Sequence, residues 1–332
     1  MNQLEIIAEV SQGYEGKESL AKKFISSAII AKADAIKFQL IYANELSTKD
    51  YIHYKFFKKL ELDIKFWKSL KKISQIRKIK FYLDIFGYKS LKIAEKVGAD
   101  GIKIHPTDLN NYRLLREIKK SKIKKIFLGI GGSYASEICK AIKILKGKNI
   151  VIMIGFQSYP TPNNTIQIQR IYQIKKLLKN IKVLYGYADH SVDTNSLIPC
   201  SVAVGSGVNY IEKHLTLNTK KKLEDSESAI LSNDFKILKE NLLKAYDSFK
   251  IKNNKKNKFY MSREEEKYRS TVRKCYVSNK KIKMGHKFKN DKFLTLKRVG
   301  TNKGIYSFKI IKNKSLKINL NRDQAIIKSM LI

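Results

Sequence analysis

The sequence is poor in the residues that mark several classes of protein. It has three cysteines, four prolines and one tryptophan in 332 residues. The cysteines, Cys139, Cys200 and Cys275, are odd in number, far apart and without C-x-x-C spacing, which argues against a disulfide framework or a zinc knuckle. No apolar run approaches the roughly 20 residues of a membrane span. The charged start Met1-Asn2-Gln3-Leu4-Glu5 lacks the apolar segment of a signal peptide. We therefore predict a cytoplasmic protein with no membrane partner.

Acidic residues are also scarce, with 29 Asp and Glu against 68 Lys and Arg, a formal charge of +39. Nine of the basic residues are Arg, and the lysines are scattered along the chain among abundant Ile and Asn. A/T-rich codon usage gives this pattern. A nucleic-acid interface normally clusters its charge and uses Arg at base edges. We therefore expect no nucleic-acid partner, in spite of the charge.

The length suits one large α/β barrel with a small extra unit, and 43% hydrophobic residues supply its core. Short apolar runs alternate with amphipathic, helix-length stretches. The predicted strands are Leu4–Val10, Ala35–Leu40, Ile79–Ile85, Gly101–His105, Ile126–Ile130, Ile150–Ile154, Ile181–Tyr185 and Val208–Lys213. The predicted helices between them include Leu20–Ala31, Phe66–Ile76, Leu91–Val97, Leu114–Lys119, Ala135–Leu145 and Ile168–Leu178. Eight such alternations predict a (β/α)8 TIM barrel. An open doubly wound sheet is the alternative, but no G-x-G-x-x-G follows a strand.

Two histidines follow neighbouring predicted strands. His190 lies in Gly186-Tyr187-Ala188-Asp189-His190-Ser191, and His214 lies in Ile211-Glu212-Lys213-His214-Leu215-Thr216. Side chains at the carboxyl ends of adjacent parallel strands point at the same barrel mouth. Imidazole beside carboxylates suits a divalent first-row ion. Either histidine alone is more simply explained as a hydrogen-bonded, half-buried residue. Because both follow strands and both lie beside an acidic residue, we predict that they bind one metal ion.

Other polar side chains mark the ends of the remaining strands. They are Glu9 on the first strand, Lys37 and Gln39 on the second, Asp84 on the third, Lys103 and His105 on the fourth, and Gln157 and Tyr159 after the sixth. The fifth strand ends in Gly129-Ile130-Gly131-Gly132, where backbone N–H groups can approach phosphate oxygens. A lysine at a strand end is usually solvated. So many charged or imidazole side chains at one barrel end nevertheless predict a site for an anionic substrate.

The composition changes after a last predicted barrel helix, Asn233–Phe249. Residues 251–260 begin Ile251-Lys252-Asn253-Asn254-Lys255-Lys256-Asn257-Lys258, a charged, polar stretch typical of a solvated linker. Beyond it, Thr271–Ser278, Lys292–Lys297 and Tyr306–Ile311 alternate like short strands, with Gly285, Gly300 and Gly304 at turns. We therefore predict a barrel domain over 1–250, a linker over 251–260 and a small β-rich domain over 261–332.

Taken in order, these motifs resemble the sialic acid synthases, a family that includes the legionaminic and pseudaminic acid synthases. The first half carries Ala8-Glu9-Val10, Ala33-Asp34-Ala35-Ile36-Lys37-Phe38-Gln39 and Gly98-Ala99-Asp100-Gly101-Ile102-Lys103-Ile104. The second half carries Tyr159-Pro160-Thr161-Pro162 and the two histidine motifs. Near the end, Arg269-Ser270, Lys283-Met284-Gly285 and Leu296-Lys297-Arg298-Val299-Gly300 resemble the antifreeze-protein-like (SAF) domain of such synthases. The resemblance implies a TIM barrel followed by a SAF domain of the β-clip type.

The resemblance also implies a reaction, the condensation of phosphoenolpyruvate (PEP) with an N-acylated sugar for surface polysaccharide biosynthesis. It implies that His190 and His214 bind a divalent ion, Mn²⁺ or Mg²⁺, and that Glu9 activates water or carries a proton. Lys37 and Lys103 would hold PEP. The other candidate substrate-binding residues are Gln39, Asp84, His105, Asp108, Gln157, Tyr159, Asp189 and Asp225. The family further implies a homodimer in which a swapped C-terminal domain offers Arg298 to the sugar.

Five positions depart from the family pattern around the PEP phosphate. Where the family has small hydroxyls or an amide, this chain has Asp84, Pro106, Gly129, Gln157 and Ala188. Asp84 fits least, because an ionised carboxylate repels a phosphate unless it is shielded. We expect the two lysines to line one pocket, with Asp84 paired to a lysine or turned toward the sugar.

The sequence thus predicts a PEP-dependent synthase of a nonulosonic (sialic-acid-like) sugar acid. Two rivals remain: a metal-dependent aldolase or lyase that uses pyruvate, and a catalytically silent sugar-binding protein. The acceptor sugar stays open, because loops such as Tyr42–Lys59 set it.

Overall fold

The computed structural model of the chain describes residues 4–155, 158–191, 197–218, 222–249, 261–300 and 304–332. The chain divides into two compact units, Met1–Lys250 and Ile251–Ile332. The three cysteines are free thiols. Among the helices in the described ranges, none combines the length and the apolar character needed to cross a membrane.

Within the described part of the first unit, eight parallel strands close into a barrel in chain order. They are β1 (Glu5–Ser11), β2 (Ala35–Leu40), β3 (Lys80–Ile85), β4 (Gly101–Ile104), β5 (Lys125–Gly129), β6 (Asn149–Ile154), β7 (Leu184–Asp189) and β8 (Tyr210–His214). Their Ile-rich runs are buried on both faces, as strands of an all-parallel sheet usually are. The predicted (β/α)8 barrel is confirmed.

Helices fill the connections between the strands. They are α1 (Glu18–Ile30), α2 (Ala43–Leu46), α3 (Tyr54–Lys59), α4 (Ile64–Ile76), α5 (Tyr88–Val97), α6 (Tyr112–Lys120), α7 (Ala135–Ile144), α8 (Arg170–Leu177), α9 (Leu197–Gly205) and α10 (Ser232–Phe249). The sequence did not predict α9, because its residues LIPCSVAVG are almost all apolar or small and show no amphipathic period. The short helices α2 and α3 lie within the Tyr42–Lys59 loop after β2.

The strand β7 differs from its prediction, which covered Ile181–Tyr185. The strand runs from Leu184 to Asp189 and so includes Gly186, which the sequence suggested as a boundary. A Cβ at Gly186 would lie 2.4 Å from Met153 Sδ, so the glycine leaves room for a side chain inside the barrel. The later end of β7 places His190 directly after the strand.

Alternation along the strands sorts their side chains into two layers. Ile6, Ala8 and Phe38 belong to the core between barrel and helices. Residues of the opposite parity, such as Ile7 and Tyr82, pack inside the barrel. Successive strand residues point to opposite faces, so positions two residues further on continue the inner face. Those positions are polar on several strands, and they form a polar layer at the carboxyl end of the barrel.

The second unit contains α11 (Arg263–Val272), β9 (Cys275–Ser278), β10 (Leu294–Lys297) and α12 (Phe308–Ile311). The strands β9 and β10 are antiparallel, and Leu294 pairs with Ser278. Its own core includes Ile282, Phe288 and Leu320. The strand predicted over Lys292–Lys297 is confirmed in substance, and Gly285 lies in a turn as predicted.

Two other strand predictions in this unit are wrong in whole or in part. The strand predicted over Thr271–Ser278 begins at Cys275, because α11 continues to Val272. Ser262 and Glu265 start that helix with a reciprocal capping box. The strand predicted over Tyr306–Ile311 contains the helical turn α12 instead. Phe308 and Ile311, three residues apart, both contact the unit's core, which a helical turn allows and a strand does not.

Candidate active site

A cavity of about 260 Å³ lies at the carboxyl end of the barrel strands. The structure brings nine of the predicted site residues to its wall: Glu9, Gln39, Asp84, Lys103, His105, Tyr159, His190, His214 and Asp225. All those on strands, and His105, His190 and His214 at their ends, have the inward parity described above. The barrel mouth is where TIM-barrel enzymes place their chemistry, so this cavity is the candidate active site.

Five charged side chains form one buried cluster beside the cavity. Lys37 Nζ forms an ion pair with Glu9, lies 2.7 Å from Asp84 Oδ1 and lies 3.4 Å from Glu212 Oε2. Lys103 Nζ lies 2.6 Å from Glu212 Oε1 and 4.0 Å from Asp84 Oδ2. Lys103 borders the cavity, whereas Lys37 is fully buried beneath it. As expected, Asp84 pairs with a lysine, but the two lysines do not both line the pocket.

Burial and the neighbouring charges shift the pKa values of this cluster. Burial raises the pKa of Glu9 to about 8, against the opposing effect of Lys37. Burial also acts to raise the pKa of Glu212, but Lys103 and Lys37 outweigh it and lower that pKa well below its usual range. Burial acts to lower the pKa of Lys37, but Asp84 and the two Glu residues hold it well above its usual range. Glu9 is therefore the carboxyl group that holds a proton near neutral pH.

The two histidines lie side by side in the cavity wall, and His214 pairs in register with Glu9 on the neighbouring strand. Their ring centroids lie 5.3 Å apart, and the Tyr159 ring lies 5.8 Å from His190 and 5.3 Å from His214. His190 Nδ1 lies 3.0 Å from the Ala188 carbonyl oxygen, which can only accept, so Nδ1 carries the hydrogen. Burial lowers the pKa of His190 to about 4 and that of His214 well below its usual range. Both rings are therefore neutral at neutral pH, the state that binds metals.

These two rings fit a shared metal ion. Imidazoles bound to one ion at roughly 2.0–2.1 Å have ring centroids roughly 5 Å apart, close to the observed spacing. His214 Nδ1 is buried without a hydrogen-bond partner among the described residues. No group of three His, Cys, Asp or Glu in the described ranges is arranged to hold a metal. The remaining ligands of an Mn²⁺ or Mg²⁺ ion would therefore be waters or substrate oxygens, as is common for hard ions.

The polar side of the cavity is built by Ser11, Gln12, Gln39, Tyr159 and Asp225. Gln12 Nε2 donates to Gln39 Oε1 over 3.0 Å, and the Gln12 N–H donates to Asp225 Oδ2 over 3.4 Å. Ser11 Oγ donates to Asp225 Oδ2, and the Tyr159 hydroxyl donates to the Asp225 carbonyl oxygen. Burial raises the pKa of Asp225. This hydrogen-bonding surface, near the histidines, suits the hydroxyls of a sugar.

The other predicted residues lie elsewhere. Asp108 is in a short turn, where it accepts a hydrogen bond from Asn111 Nδ2 over 3.0 Å, and it is not part of the cavity wall. Gln157 lies outside the described residues. Arg298 is exposed in the second unit, directly after β10. Asp189 has the outward parity and is fully buried behind the wall.

Asp189 belongs to a buried ion pair that joins the ends of β7 and β8. Lys213 Nζ lies 2.7 Å from Asp189 Oδ2, and both side chains are fully buried. The Tyr187 hydroxyl donates to Asp189 Oδ1 over 3.1 Å, and Ser191 Oγ donates to Asp189 Oδ2 over 2.9 Å. Each member of the pair directly precedes one of the two histidines, so the pair holds their strand ends together.

Replacing Lys213 by Met is expected to cost about 3–5 kcal/mol of unfolding free energy, because it leaves the Asp189 carboxylate buried without its cation. A Lys120→Met chain is the control, since its pair with Glu117 is exposed and contributes little. Urea unfolding of the three proteins measures the difference. The double change Asp189→Leu with Lys213→Met should restore much of the loss. Equal stability of the Lys213→Met and Lys120→Met chains would contradict the prediction.

Glu212 is the functional residue that sequence reasoning missed. It lines the cavity and holds Lys103, but the sequence singled it out only as a neighbour of His214. The alternation of strand side chains could have predicted it, because Glu212 lies two residues before His214 on one strand and therefore shares its face. Its partner on β4 could not be found this way, since the two residues are 109 positions apart.

Four of the five departures from the family pattern, Asp84 among them, border the cavity. The other three of these are Pro106, Gly129 and Ala188. A Cβ at Gly129 would lie 2.8 Å from Pro106 Cδ, so the proline occupies the space of a side chain at 129. Two departures are thus sterically linked.

Comparison with known proteins identifies the family of this chain. A family model described as the NeuB family matches residues 24–254. The chain belongs to the NeuB family. The N,N'-diacetyllegionaminic acid synthase of Campylobacter jejuni is 30% identical over 312 residues, which cover 88% of this chain and 90% of that protein. An uncharacterized protein of Methanocaldococcus jannaschii is 32% identical over 228 residues, which cover 68% of this chain and 65% of that protein.

A solved structure supports the same membership. The crystal structure of N-acetylneuraminic acid (sialic acid) synthetase from Leptospira borgpetersenii matches with a TM-score of 0.73 at 28% identity. The match covers 81% of this chain and 92% of that chain. The resemblance to sialic acid synthases, predicted from the motifs, is confirmed. The relatives named for sialic-acid-like products are synthases, and so are enzymes.

Proposed function

We propose that the protein is a nonulosonic acid synthase that condenses PEP with an N-acylated sugar and releases phosphate, in surface polysaccharide biosynthesis. The observation that carries this proposal is the convergence of Glu9, Lys103, His190 and His214 on one cavity at the carboxyl end of the barrel. Membership of the NeuB family supports the product class. The acceptor would be an N-acylated hexose, as the resemblance to the sialic acid synthases implies.

His190 and His214 would hold the divalent ion. Such an ion, Mn²⁺ or Mg²⁺, supplies Lewis-acid polarisation of the sugar aldehyde. The buried pair of Asp189 and Lys213 positions the strand ends that carry these rings. Gln39 Nε2 would donate to the sugar hydroxyls. The hydroxyl oxygens of Tyr159 and Ser11, whose hydrogens go to Asp225, would accept from them.

The charged cluster of Lys103, Glu9 and Lys37 would bind and orient the donor, PEP. Lys103 would hold the PEP carboxylate, with C3 toward the aldehyde. In the reaction, C3 of PEP forms the new carbon–carbon bond and the aldehyde oxygen becomes a hydroxyl. Water then adds at C2 and the C2–O bond to phosphate breaks. Glu9, whose pKa is raised to about 8, would give its proton to the aldehyde oxygen and take one back from that water, while the remaining hydroxyl proton at C2 leaves with the phosphate as the C2 carbonyl forms. Lys37 would hold the Glu9 side chain in place.

Phosphate release tests this proposal. The purified protein is incubated with PEP, Mn²⁺ and a panel of N-acetylated hexoses, and inorganic phosphate and the sugar acid are measured together. We expect phosphate to appear in proportion to the sugar acid, and only when an acceptor is present. The His190→Ala, His214→Ala double variant is the inactive control. No phosphate release with any acceptor would reject the synthase.

A pyruvate-dependent aldolase or lyase is the second candidate. The observation that favours it is the charge of the donor wall, where two lysines face three carboxyl groups. Consumption of pyruvate with an acceptor, without phosphate release from PEP, would establish it. Absence of turnover with both donors would leave the silent sugar-binding protein.

We also propose, from the resemblance alone, a homodimer in which Arg298 serves the sugar site of the other subunit's barrel. An Arg298→Ala chain and a His214→Ala chain should each be inactive. Dimers re-formed from an equal mixture should recover up to about a quarter of the activity, because half of them then contain one intact site. Subunit exchange is verified with differently tagged chains. No recovery from mixed dimers would exclude action between subunits.

A further inference from the structure

We propose that Asp84 sets the charge of the donor site, so that the cavity gains little affinity from a phosphate group and binds PEP no more tightly than pyruvate. This inference deepens the proposed function and rests on it for the identity of the donor. It names a residue of this chain that determines specificity. Two features of the wall support it: the contacts of Asp84, and the presence of Lys103 as the one cationic side chain among the described residues that line it. The third support is the difference in charge between the two donors.

The Asp84 carboxylate lies between the two lysines, where the anionic group of a bound donor would otherwise contact them. Its Oδ1 lies 2.7 Å from Lys37 Nζ and its Oδ2 lies 4.0 Å from Lys103 Nζ, so one carboxylate spans both lysines. The side chain is buried, yet it borders the cavity. The strand register enforces this place, because Asp84 pairs directly with Lys103 on the neighbouring strand. An incoming anionic group therefore meets Lys103, whose charge is already offset by carboxylates, while Lys37 lies beneath the wall and is paired there.

Among the described residues of the remaining wall, no further cationic side chain replaces this charge. Lys103 is the one lysine or arginine among the described residues that border the cavity, and it is also paired with Glu212. Beside it stand Pro106, Gly129 and Ala188, which carry no donor side chain. His105 is neutral at neutral pH, because burial lowers its pKa to about 4. A phosphate at this wall would meet the carboxylates of Asp84 and Glu212, with Lys103 as the one cationic side chain among the described wall residues.

The two donors differ in the charge that they bring to this wall. A phosphate monoester carries about −1.5 to −2 charges near pH 7 in addition to the carboxylate of PEP, whereas pyruvate carries its carboxylate alone. Coulomb repulsion from Asp84 scales with the charge of the ligand, and it is strong in a buried site. Removing the Asp84 charge should therefore favour PEP and inorganic phosphate much more than pyruvate.

Titration calorimetry on the full chain tests this inference. Dissociation constants for PEP, pyruvate and inorganic phosphate are measured for the wild type, Asp84→Asn and Asp247→Asn. Asp247 is exposed on α10, so its replacement removes the same charge outside the site. In the wild type and the Asp247→Asn chain, PEP and pyruvate should bind within about threefold of each other. In Asp84→Asn, PEP and phosphate should bind at least about tenfold more tightly, and pyruvate should change by less than about threefold.

Two results would overturn the inference. One is a wild type that binds PEP at least about tenfold more tightly than pyruvate; the other is an unchanged PEP-to-pyruvate ratio in Asp84→Asn. The wild-type ratio decides the question even if Asp84→Asn fails to fold, and Asp84→Ser provides a second neutral variant. These affinities can be measured whether or not the protein catalyses a reaction. If the PEP-to-pyruvate selectivity responds to Asp84 but the protein releases no phosphate, the proposed synthase activity is refuted and the role of Asp84 in setting the charge of the site stands.

Discussion

Replacement of His214 by Ala should reduce turnover at least about a thousandfold, since it removes one of two rings that would hold the Lewis acid, whose contribution is several kcal/mol. The geometry behind this expectation is the 5.3 Å spacing of the His190 and His214 rings at the cavity. His190→Ala should have the same effect. Activity with PEP and the best acceptor measures it, at saturating Mn²⁺ so that weakened ion binding is partly offset.

Ion binding provides a readout that does not depend on turnover. Mn²⁺ affinity, followed by electron paramagnetic resonance, should fall in both single variants and be lost in the double variant. His286→Ala is the control, because that ring packs between Phe288 and Phe293 in the second unit. The thermal unfolding of all variants should remain cooperative. Unchanged Mn²⁺ affinity in His214→Ala would show that the two rings do not share an ion.

Replacement of Glu9 by Gln should lower kcat by about 10²–10⁴-fold, the usual contribution of a positioned acid or base. Glu9 borders the cavity, and its Oε1 accepts the Ser11 N–H over 2.6 Å. Its pKa of about 8 lies close to neutral pH. Gln keeps the shape and the hydrogen-bond acceptor, but it cannot exchange a proton. Substrate affinity should change little. A variant with wild-type kcat would remove Glu9 from the mechanism.

The same substitution should change how stability depends on pH. The pKa of Glu9 is raised from its usual 4.5 to about 8 in the folded chain. The folded protein therefore holds a proton that the unfolded chain has lost, and stability falls as pH rises through that window. The buried histidines, whose pKa values are lowered by folding, contribute equally to the wild type and to Glu9→Gln, so the difference between the two proteins reports on Glu9. Between pH 6.5 and 8.5, the unfolding free energy should fall more steeply in the wild type than in Glu9→Gln.

Much of the candidate site follows from the sequence because strand residues alternate. Once eight strands are located, Glu9, Lys103 and His214 fall on inward positions near strand ends, and a parallel barrel gathers such positions at one mouth. The same rule applied strictly would have placed Asp189 on the outer face. It would also have brought Glu212 to the cavity. Local periodicity therefore determines which side chains enter the barrel.

What the sequence by itself determined is the barrel, the family and the set of inward-facing residues, since these depend on short-range patterns of apolar and polar residues. Only the tertiary structure decided which charges pair. Lys37 is surrounded by carboxylates from three other strands, and Asp84 spans it and Lys103. The choice among such partners depends on side-chain length, strand stagger and burial across positions far apart in the chain. For the same reason the sequence predicted that both lysines line the pocket, whereas the fold buries Lys37 beneath it.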